Sequence, residues 1–359
     1  MYTQGFTSII AALMVAGCAI HPEPEDVTGV TTAGIVKQIR CEARDAARAI
    51  VLRVLDRMAA NGDQRAQSLS SQFHADPELM STFNPQLSFS RPGDLHVREV
   101  FEMINSTAIA YNFDLTMNEE NNLNTDINFL GPWHPPLTLG IKGNANRMRQ
   151  NQRTFTIADS LGYLLTTLNT PAYGAHYCDG HITVGPNYIY PIVGRIGIYN
   201  TVYTFFQLSF FDGLVAQQAK PGVSGPPAIT DVLTFTTIVD LTAAPKIVFA
   251  PVKTGFKLTD AALGGTLRRK DIHQVTLALA LDSKETAPLA SLRGYIFSGE
   301  RTSGGTGRRV VAGQGAAGSQ TLVLNRVTAS TTSRAEQIAV AMIDQFKSRE
   351  LQLIPPPSP

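Results

Sequence analysis

Histidine, cysteine and aspartate side chains gather within one short stretch of the chain. His176, Cys178, Asp179 and His181 place two imidazoles, a thiol and a carboxylate within six residues. Zinc sites in proteins use these ligand types. The spacing matches none of the common zinc motifs, so a turn that carries exposed histidines competes with a metal site built on His176 and His181. We expect no bound metal or other cofactor.

Arginines form a second candidate site, in this case for an anion. Arg149 and Arg153 lie at the entry to one predicted strand, and Arg268 and Arg269 lie at the entry to another. Such a concentration of positive charge can attract an acidic glycan or a phosphate. The alternative is that these arginines are solvated charges at turns, where they protect the strands from aggregation.

A basic stripe lies on the first predicted helix. Its members are Lys37, Arg40, Arg44 and Arg48. This stripe can contact anionic lipid headgroups. The acidic residues Glu42 and Asp45 lie between them, which favours an ordinary solvated helix face instead.

No catalytic motif can be assigned, and the catalytic residues therefore stay unknown. The sequence contains no Gly-x-Ser-x-Gly elbow, no His-Glu-x-x-His helix and no defensible pair of carboxylates. The segment Gly313–Gly318 fits the dinucleotide pattern G-x-G-x-x-G, but no βαβ unit surrounds it, so we interpret it as a flexible loop. With 30 basic and 29 acidic residues, the chain offers no general basic field for nucleic acid.

An apolar run from Phe6 to Ala16 has the length of the hydrophobic region of a signal peptide and is too short to cross a bilayer. The tetrapeptide VAGC that ends at Cys18 resembles the lipobox of bacterial lipoproteins. The resemblance implies that residues 1–17 are cleaved, that Cys18 is acylated, and that Ala19 favours sorting to the outer membrane. Residues 18–32 then form a tether. The competing interpretation is a buried N-terminal helix or strand with Cys18 as a core thiol.

Two more cysteines, Cys41 and Cys178, complete the set of three. If Cys18 is acylated in an oxidising periplasm, the other two are expected to form a disulfide. Two separate buried thiols are the alternative, because the sequence alone does not give their distance.

Apolar residues at three- and four-residue steps predict an amphipathic helix over 33–58, which Asn61-Gly62 ends. The stretch from there to Pro92 is predicted as a loop or loose helical segment. A shorter helix is predicted from Asp94, and a C-terminal helix from the capping box Ser333–Glu336.

Period-two alternation predicts a meander of four short strands, with a hairpin turn at Asn118–Asn122. A second meander aligns with the first at a constant offset of 120 positions, as with Arg149 and Arg269. We interpret this as an internal duplication; a chance alignment of alternating strands is the alternative. The predicted fold is α+β and mainly antiparallel β, with two related four-strand meanders packed as a sandwich and flanked by N- and C-terminal helices.

This reading divides the chain into eight segments. They are the signal peptide 1–17, the tether 18–32, an N-terminal helical segment 33–106, the first meander 107–160, an aromatic-rich insert 161–228 with a helix from Ile196, the second meander 229–283, a Gly-rich loop and strand 284–332, and the C-terminal helix and Pro-rich tail 333–359.

The segments 21–28 and 39–42, HPEPEDVT and IRCE, resemble uncharacterised lipoproteins of alphaproteobacteria. That resemblance implies no activity, substrate or site residues. Together with the lipobox it predicts a lipid-anchored protein on the periplasmic face of the outer membrane, with an envelope protein or glycan as partner. A binding or assembly role is favoured over an envelope hydrolase acting on glycan or lipid. Strands that line an oligomeric pore are a third possibility, which the mixture of charged and apolar residues disfavours.

Overall fold

The computed structural model describes residues 22–24, 26, 31–130, 138–171, 176–180, 196–209, 214, 226–244, 246–248, 257–282 and 329–353. This part combines helices with one antiparallel sheet, so the predicted α+β class is confirmed. The elements are α1 (Thr32–Ala60), α2 (Gln64–Ala75), α3 (Pro85–Ser88), α4 (Leu95–Ser106), β1 (Ala108–Leu130), β2 (Thr138–Ser160), α5 (Leu161–Thr166), α6 (Ile198–Gln207), β3 (Ala228–Ala243), β4 (Lys246–Val248), β5 (Lys257–Ala280) and α7 (Ala329–Leu353). Among these helices, none has the length and apolar composition needed to cross a membrane.

The chain divides into two compact units. Unit 1 comprises Met1–Thr32, Phe113–Phe155 and Thr234–Val275, and unit 2 comprises Ala33–Asn112, Thr156–Leu233 and Thr276–Pro359. Each of the four long strands is divided between the two units.

The core of unit 2 contains a long helix that is buried on most of its circumference. Ile39, Ala43 and Leu55 of α1 are fully buried. At the base of the sheet, α7 packs through its small residues Ala335 and Ala339 in one apolar cluster that also contains alanines of β1, β3 and β5. Alanine on both sides allows a helix and a sheet to approach closely, because neither side has a long side chain to accommodate.

The strands form one sheet in the order β2-β1-β5-β3, and β4 pairs with β5. Thr125 Oγ1 donates to the carbonyl oxygen of Gly143, and Asn112 Nδ2 donates to Thr156 Oγ1, so β1 and β2 keep a single antiparallel register. Between β1 and β5, a Cβ added to Gly264 would lie 3.7 Å from the Cβ of Asn124.

These registers decide which side chains share a face of the sheet. Successive side chains of a strand alternate between the faces. The observed registers place even-numbered residues opposite even-numbered ones, as with Lys246 and Ala262 of the β4–β5 pair. All odd-numbered residues of the four long strands therefore lie on one face, here called the odd face, and all even-numbered ones lie on the other, the even face.

Two details of the predicted β-structure are wrong. The predicted turn at Asn118–Asn122 lies in the middle of β1, a continuous strand of 23 residues. The two meanders are two long hairpins that pair edge to edge in one sheet, and they do not pack face to face as a sandwich. Backbone pairing on both sides of the central strand β1 outweighs the turn preference of its asparagines, because every paired residue gains hydrogen bonds.

The segment between α1 and α4, predicted as a loop or a loose helical segment, is largely helical. It contains α2, α3 and two 3₁₀ helices, Pro77–Thr82 and Pro92–Asp94. Asp63 caps α2 by accepting hydrogen bonds from the backbone N–H groups of Arg65 and Ala66.

The proposed duplication stays a prediction, with which the strand ends agree. Ala228, the first residue of β3, stands 120 positions after Ala108, the first residue of β1. Ala280, the last residue of β5, stands 120 positions after Ser160, the last residue of β2.

Candidate functional site

The outer half of the sheet in unit 1 separates apolar from polar side chains between its two faces. The odd face carries an apolar band whose members are Leu123, Ile127, Phe129, Leu139, Ile141, Val239, Leu241, Leu263 and Leu267. Leu139, Ile141 and Leu241 are at least half exposed, at 50%, 52% and 60%. Solvent exposure of several large apolar side chains on one surface is the usual sign of an interaction site.

On β1 and β2, the outer part of this band contains no charged residue on the odd face. Beyond Glu119 on β1, and before Arg147 on β2, the odd-numbered strand residues are all uncharged. The even face at the same levels carries Asn122, Asn124 and Asp126 on β1 and Lys142 on β2. Met148 and Ile238 are exceptions, since they are large, exposed apolar residues with even numbers.

A short N-terminal segment lies against the odd face next to the band. Pro22 and Pro24 are buried, and the carbonyl oxygen of Pro22 accepts a hydrogen bond of 2.9 Å from Asn151 Nδ2. Arg153 Nη2 lies 3.2 Å from Glu23 Oε1. The region of chain that the sequence predicts as a tether is therefore in contact with strand β2 at Pro22 and Glu23.

Arg269 binds the same N-terminal segment from strand β5. Its Nη2 donates to the carbonyl oxygen of Glu23 at 2.6 Å, and its Nη1 lies 3.6 Å from Asp26 Oδ2. Arg269 Nε also donates to Asp271 at 2.6 Å. Burial raises the pKa of Asp271, although the hydrogen bond and the charge of Arg269 act in the opposite direction.

The four arginines predicted as an anion site are divided between the two faces. Arg149, Arg153 and Arg269 lie on the odd face, where acidic residues of the N-terminal segment pair with Arg153 and Arg269. Arg268 lies on the even face, 3.4 Å from Asp240, and lines a cavity of about 210 Å³ with Lys270 and Glu120. The structure therefore does not bring the four guanidinium groups together around one ligand.

The histidine and cysteine cluster lies in unit 2, where Cys178 and His176 interact with other residues of the protein. Cys178 and Cys41 form a disulfide bond, with Cα atoms 5.7 Å apart. His176 Nδ1 lies 2.8 Å from the carbonyl oxygen of Asn169. His181 and the Gly313–Gly318 loop are outside the described residues. In the part of the chain that is described, no group of three or more potential ligands is arranged to hold a metal ion.

The three arginines of the basic stripe on α1 form ion pairs within the protein, and Lys37 Nζ donates to the carbonyl oxygen of Asp179. Arg40 binds Asp159 through two hydrogen bonds, at 2.8 and 2.6 Å. Arg44 is 2% exposed and binds Glu78, which also pairs with Arg48. Burial alone would raise the pKa of Glu78, but the hydrogen bonds from Arg44 and Arg48 lower it to about 2. The partners lie far away in the sequence, so local periodicity gave no indication of these pairs.

A serine, an aspartate and a histidine meet beside a groove on α1, but in an order that does not support catalysis. Asp56 accepts a hydrogen bond from Ser70 Oγ, and His74 Nε2 lies 3.2 Å from the same carboxylate. In a nucleophilic triad the imidazole stands between the hydroxyl and the acid, because it must take the hydroxyl proton. Here the carboxylate occupies the middle position. The groove has a volume of about 590 Å³.

Glu42 is a structural residue that the sequence analysis assigned to a solvated helix face. It is 5% exposed, and its carboxylate accepts hydrogen bonds from three backbone N–H groups, those of Ile196, Gly197 and Ile198, at 2.7, 2.7 and 3.1 Å. Glu42 therefore caps the N-terminus of α6, where negative charge is stabilised. No sequence signal links it to residues 154 positions away.

Comparison with known proteins identifies uncharacterised relatives. A family model described as "Uncharacterised protein y4kA" matches residues 21–295. The "Uncharacterized protein y4kA" of Sinorhizobium fredii (strain NBRC 101917 / NGR234) is 30% identical over 281 residues, which cover 77% of this chain and 83% of the relative.

Among solved structures, the chain shows only distant likenesses. It matches the pilotin–secretin complex AspS–GspD of ETEC with a TM-score of 0.22, at 9% identity, over 56% of this chain and 55% of that one. It matches the type IV competence pilus secretin PilQ of V. cholerae with a TM-score of 0.19, at 8% identity, over 53% of this chain and 66% of that one. At such TM-scores neither likeness carries an argument about this protein.

Proposed function

The chain belongs to the y4kA family of uncharacterised proteins, and we propose that it is a lipid-anchored envelope protein with an assembly role, whose apolar band contacts the acyl chains of the membrane that holds its anchor. The observation that carries the proposal is the separation of the two faces in unit 1. On β1 beyond Glu119 and on β2 before Arg147, the odd face presents uncharged, largely apolar side chains, several of them exposed, and the even face presents amide and charged groups.

The position of the N-terminal segment supports this proposal. Pro22 lies against the odd face, where Asn151 binds its carbonyl oxygen. Cys18, the residue that the lipobox resemblance marks for acylation, precedes Pro22 by four residues. Four extended residues reach at most about 14 Å. An acyl group on Cys18 is therefore kept near the apolar band.

Charged residues at the inner edge of the band fit the same arrangement. Glu119, Arg147 and Arg149 are the first charged residues of β1 and β2 on the odd face, at the inner end of the band. The charge-free part of the band runs from Leu123 to Phe129 on β1, seven residues that correspond to about 23 Å of strand. A hydrocarbon layer is about 30 Å thick and is bordered on each side by polar headgroups that attract basic side chains.

The Cys41–Cys178 bond supports an oxidising compartment, because disulfides persist outside the cytoplasm. An enzymatic role is less well supported. The described cavities bring together no pair of catalytic carboxylates, and Asp56 takes the position between Ser70 and His74 that an imidazole requires for catalysis.

Trp133 provides a direct test, because it is the single tryptophan of the chain and follows β1 by three residues in the sequence. The acylated protein is reconstituted into vesicles that contain brominated lipids, and quenching of Trp133 fluorescence is measured. We expect strong quenching in the native protein and clear loss of quenching in the double variant L139E/I141E, because each change introduces a charge on the odd face.

The matched control is the double variant N144E/N146E, which adds the same charges three to seven positions away on the even face of the same strand. It should retain the quenching of the native protein. Equal quenching in both double variants, or no quenching in the native protein, would refute the membrane contact. Mass spectrometry of the same preparation determines whether Cys18 carries acyl groups.

A further inference from the structure

The two outer strands of the sheet provide an interaction surface. In the part of the chain that the structure describes, β2 and β3 each have a neighbouring strand on one side only. From the geometry we infer that β3 of one copy pairs antiparallel with β2 of a second copy, head to tail. This inference rests on the proposed assembly role, and it identifies the partner as the chain itself.

The junction between the two hairpins already contains this pairing within one chain. Each hairpin has a first strand, β1 or β3, and a second strand, β2 or β5. Inside the sheet, the first strand of one hairpin, β1, pairs with the second strand of the other, β5. The strands left at the edges are again one first strand and one second strand. The same kind of junction can therefore form between copies without any new arrangement of strands.

The β3 edge lacks the usual protection against pairing. Exposed edge strands commonly carry Lys, Pro or a bulge. From Ala228 to Ala243, β3 contains no Lys, Arg or Pro, and its only charged residues are Asp231 and Asp240. The register is the same at both ends of this edge. Leu281 N donates to the carbonyl oxygen of Pro227 at one end, and Lys246 pairs with Ala262 at the other. Because both pairs belong to one register, no net insertion of a residue, as a bulge would cause, interrupts this edge.

The charges of the two edges favour a pair of unlike strands. β3 carries two negative charges and no positive one. β2 carries four positive charges, at Lys142, Arg147, Arg149 and Arg153, and one negative charge, at Asp159. Pairing β3 with β3, or β2 with β2, would bring together strands of like net charge, whereas β3 with β2 brings together strands of opposite net charge. Head-to-tail contacts of this kind close into a ring or continue as a filament.

The internal junction also predicts the register between copies. Asn124 of β1 lies opposite Gly264 of β5. The 120-position offset converts this pair into Ala244, which directly follows β3, opposite Asn144 of the second copy. Two residues along the antiparallel strands, Thr242 then lies opposite Asn146 of the second copy. Opposite residues have Cα atoms about 5.5 Å apart or less, which permits a disulfide. Within one copy these residues are separated by three strand spacings, about 14 Å, which is too far for a disulfide.

The test is disulfide crosslinking of the acylated double variant T242C/N146C in membranes, read on a non-reducing gel. Head-to-tail pairing predicts a ladder of trimers and higher species. The control T242C/Q150C shifts one cysteine by four residues, about 13 Å along the strand, and should give no ladder. A product that stops at dimers, or monomers only, overturns the inference.

A second variant is designed to keep the fold and to block strand pairing at the β3 edge. The N–H groups of odd-numbered β3 residues point toward β5, as the bond at Pro227 shows, so those of even-numbered residues point outward. T236P in the T242C/N146C background removes one outward N–H and should abolish the ladder, with unchanged far-UV circular dichroism. A persisting ladder overturns the inference. Trp133 quenching separates the two proposals: quenching without a ladder refutes only the self-pairing, and a ladder without quenching refutes only the membrane contact.

Discussion

The cap that Glu42 forms on α6 is open to a quantitative test by the substitution Glu42→Gln. Oε1 of the glutamine can still accept from Gly197 and Ile198, as Glu42 Oε1 does at 2.7 and 3.1 Å. The amide nitrogen takes the place of Oε2, and it faces the N–H of Ile196, which donates at 2.7 Å in the native protein. In the variant, two hydrogen-bond donors therefore face each other, the glutamine amide group and the N–H of Ile196, and the negative charge at the helix N-terminus is lost.

The magnitude follows from these two losses. A hydrogen bond to a charged group contributes about 1.5–3 kcal/mol, and charge at a helix N-terminus contributes about 0.3–1 kcal/mol. Because Glu42 is only 5% exposed, water cannot replace the lost acceptor. We expect Glu42→Gln to lower the free energy of unfolding by about 3 kcal/mol.

The measurement is guanidinium unfolding of the disulfide-intact protein, followed by far-UV circular dichroism. The control is Glu350→Gln on the exposed end of α7, which should change the free energy of unfolding by less than about 0.5 kcal/mol. If Glu42→Gln is as neutral as the control, the carboxylate does not hold the start of α6 and the reasoning fails.

Three further predictions concern stability. Burial, with a smaller contribution from the charge of Arg269, lowers the pKa of His273 from 6.5 to about 4. The neutral, buried imidazole therefore contributes its full stability above pH 6.5, and this contribution is lost as the pH falls toward 4. We expect His273→Gln to reduce the difference in unfolding free energy between pH 7 and pH 5 by about 2 kcal/mol, measured by chemical unfolding. Cys41→Ser and Cys178→Ser should each cost about 2–5 kcal/mol in the same assay. The double variant should cost much less than the sum of the two, and additive costs would contradict a shared bond. Gly162→Ala places a Cβ 2.9 Å from a backbone carbonyl oxygen and should lower the melting temperature by an amount that corresponds to about 1–3 kcal/mol, whereas Gly93→Ala, with no atom within 4 Å, should not.

Local periodicity predicted the elements whose burial pattern is regular. The helix expected over 33–58 is α1, Thr32–Ala60, and the helix expected from Asp94 is α4, which begins at Leu95. The C-terminal helix was also predicted, although α7 begins at Ala329, four residues before the predicted cap. These helices repeat an apolar face at helical spacing, and that pattern is readable without knowledge of the partner.

Features that depend on distant partners could not be predicted. The turn expected at Asn118–Asn122 is strand because β2 and β5 pair with β1 on both sides. The mixture of charged and apolar residues along the strands disfavours a pore lined by strands, and only the registers show that odd and even positions separate them on the outer part of β1 and β2. Arg40 and Asp159 are 119 positions apart, so their ion pair leaves no local trace.

The disulfide joins cysteines separated by 137 positions, and the third cysteine of the chain is Cys18. Three thiols allow three different pairings, two of which are non-native. Consumption of the Cys18 sulfur by a thioether would leave a single possible pairing once both remaining thiols have been exported. Such a chain needs an oxidase to mature, but no isomerase to correct it, and its maturation must wait until translocation has delivered Cys178.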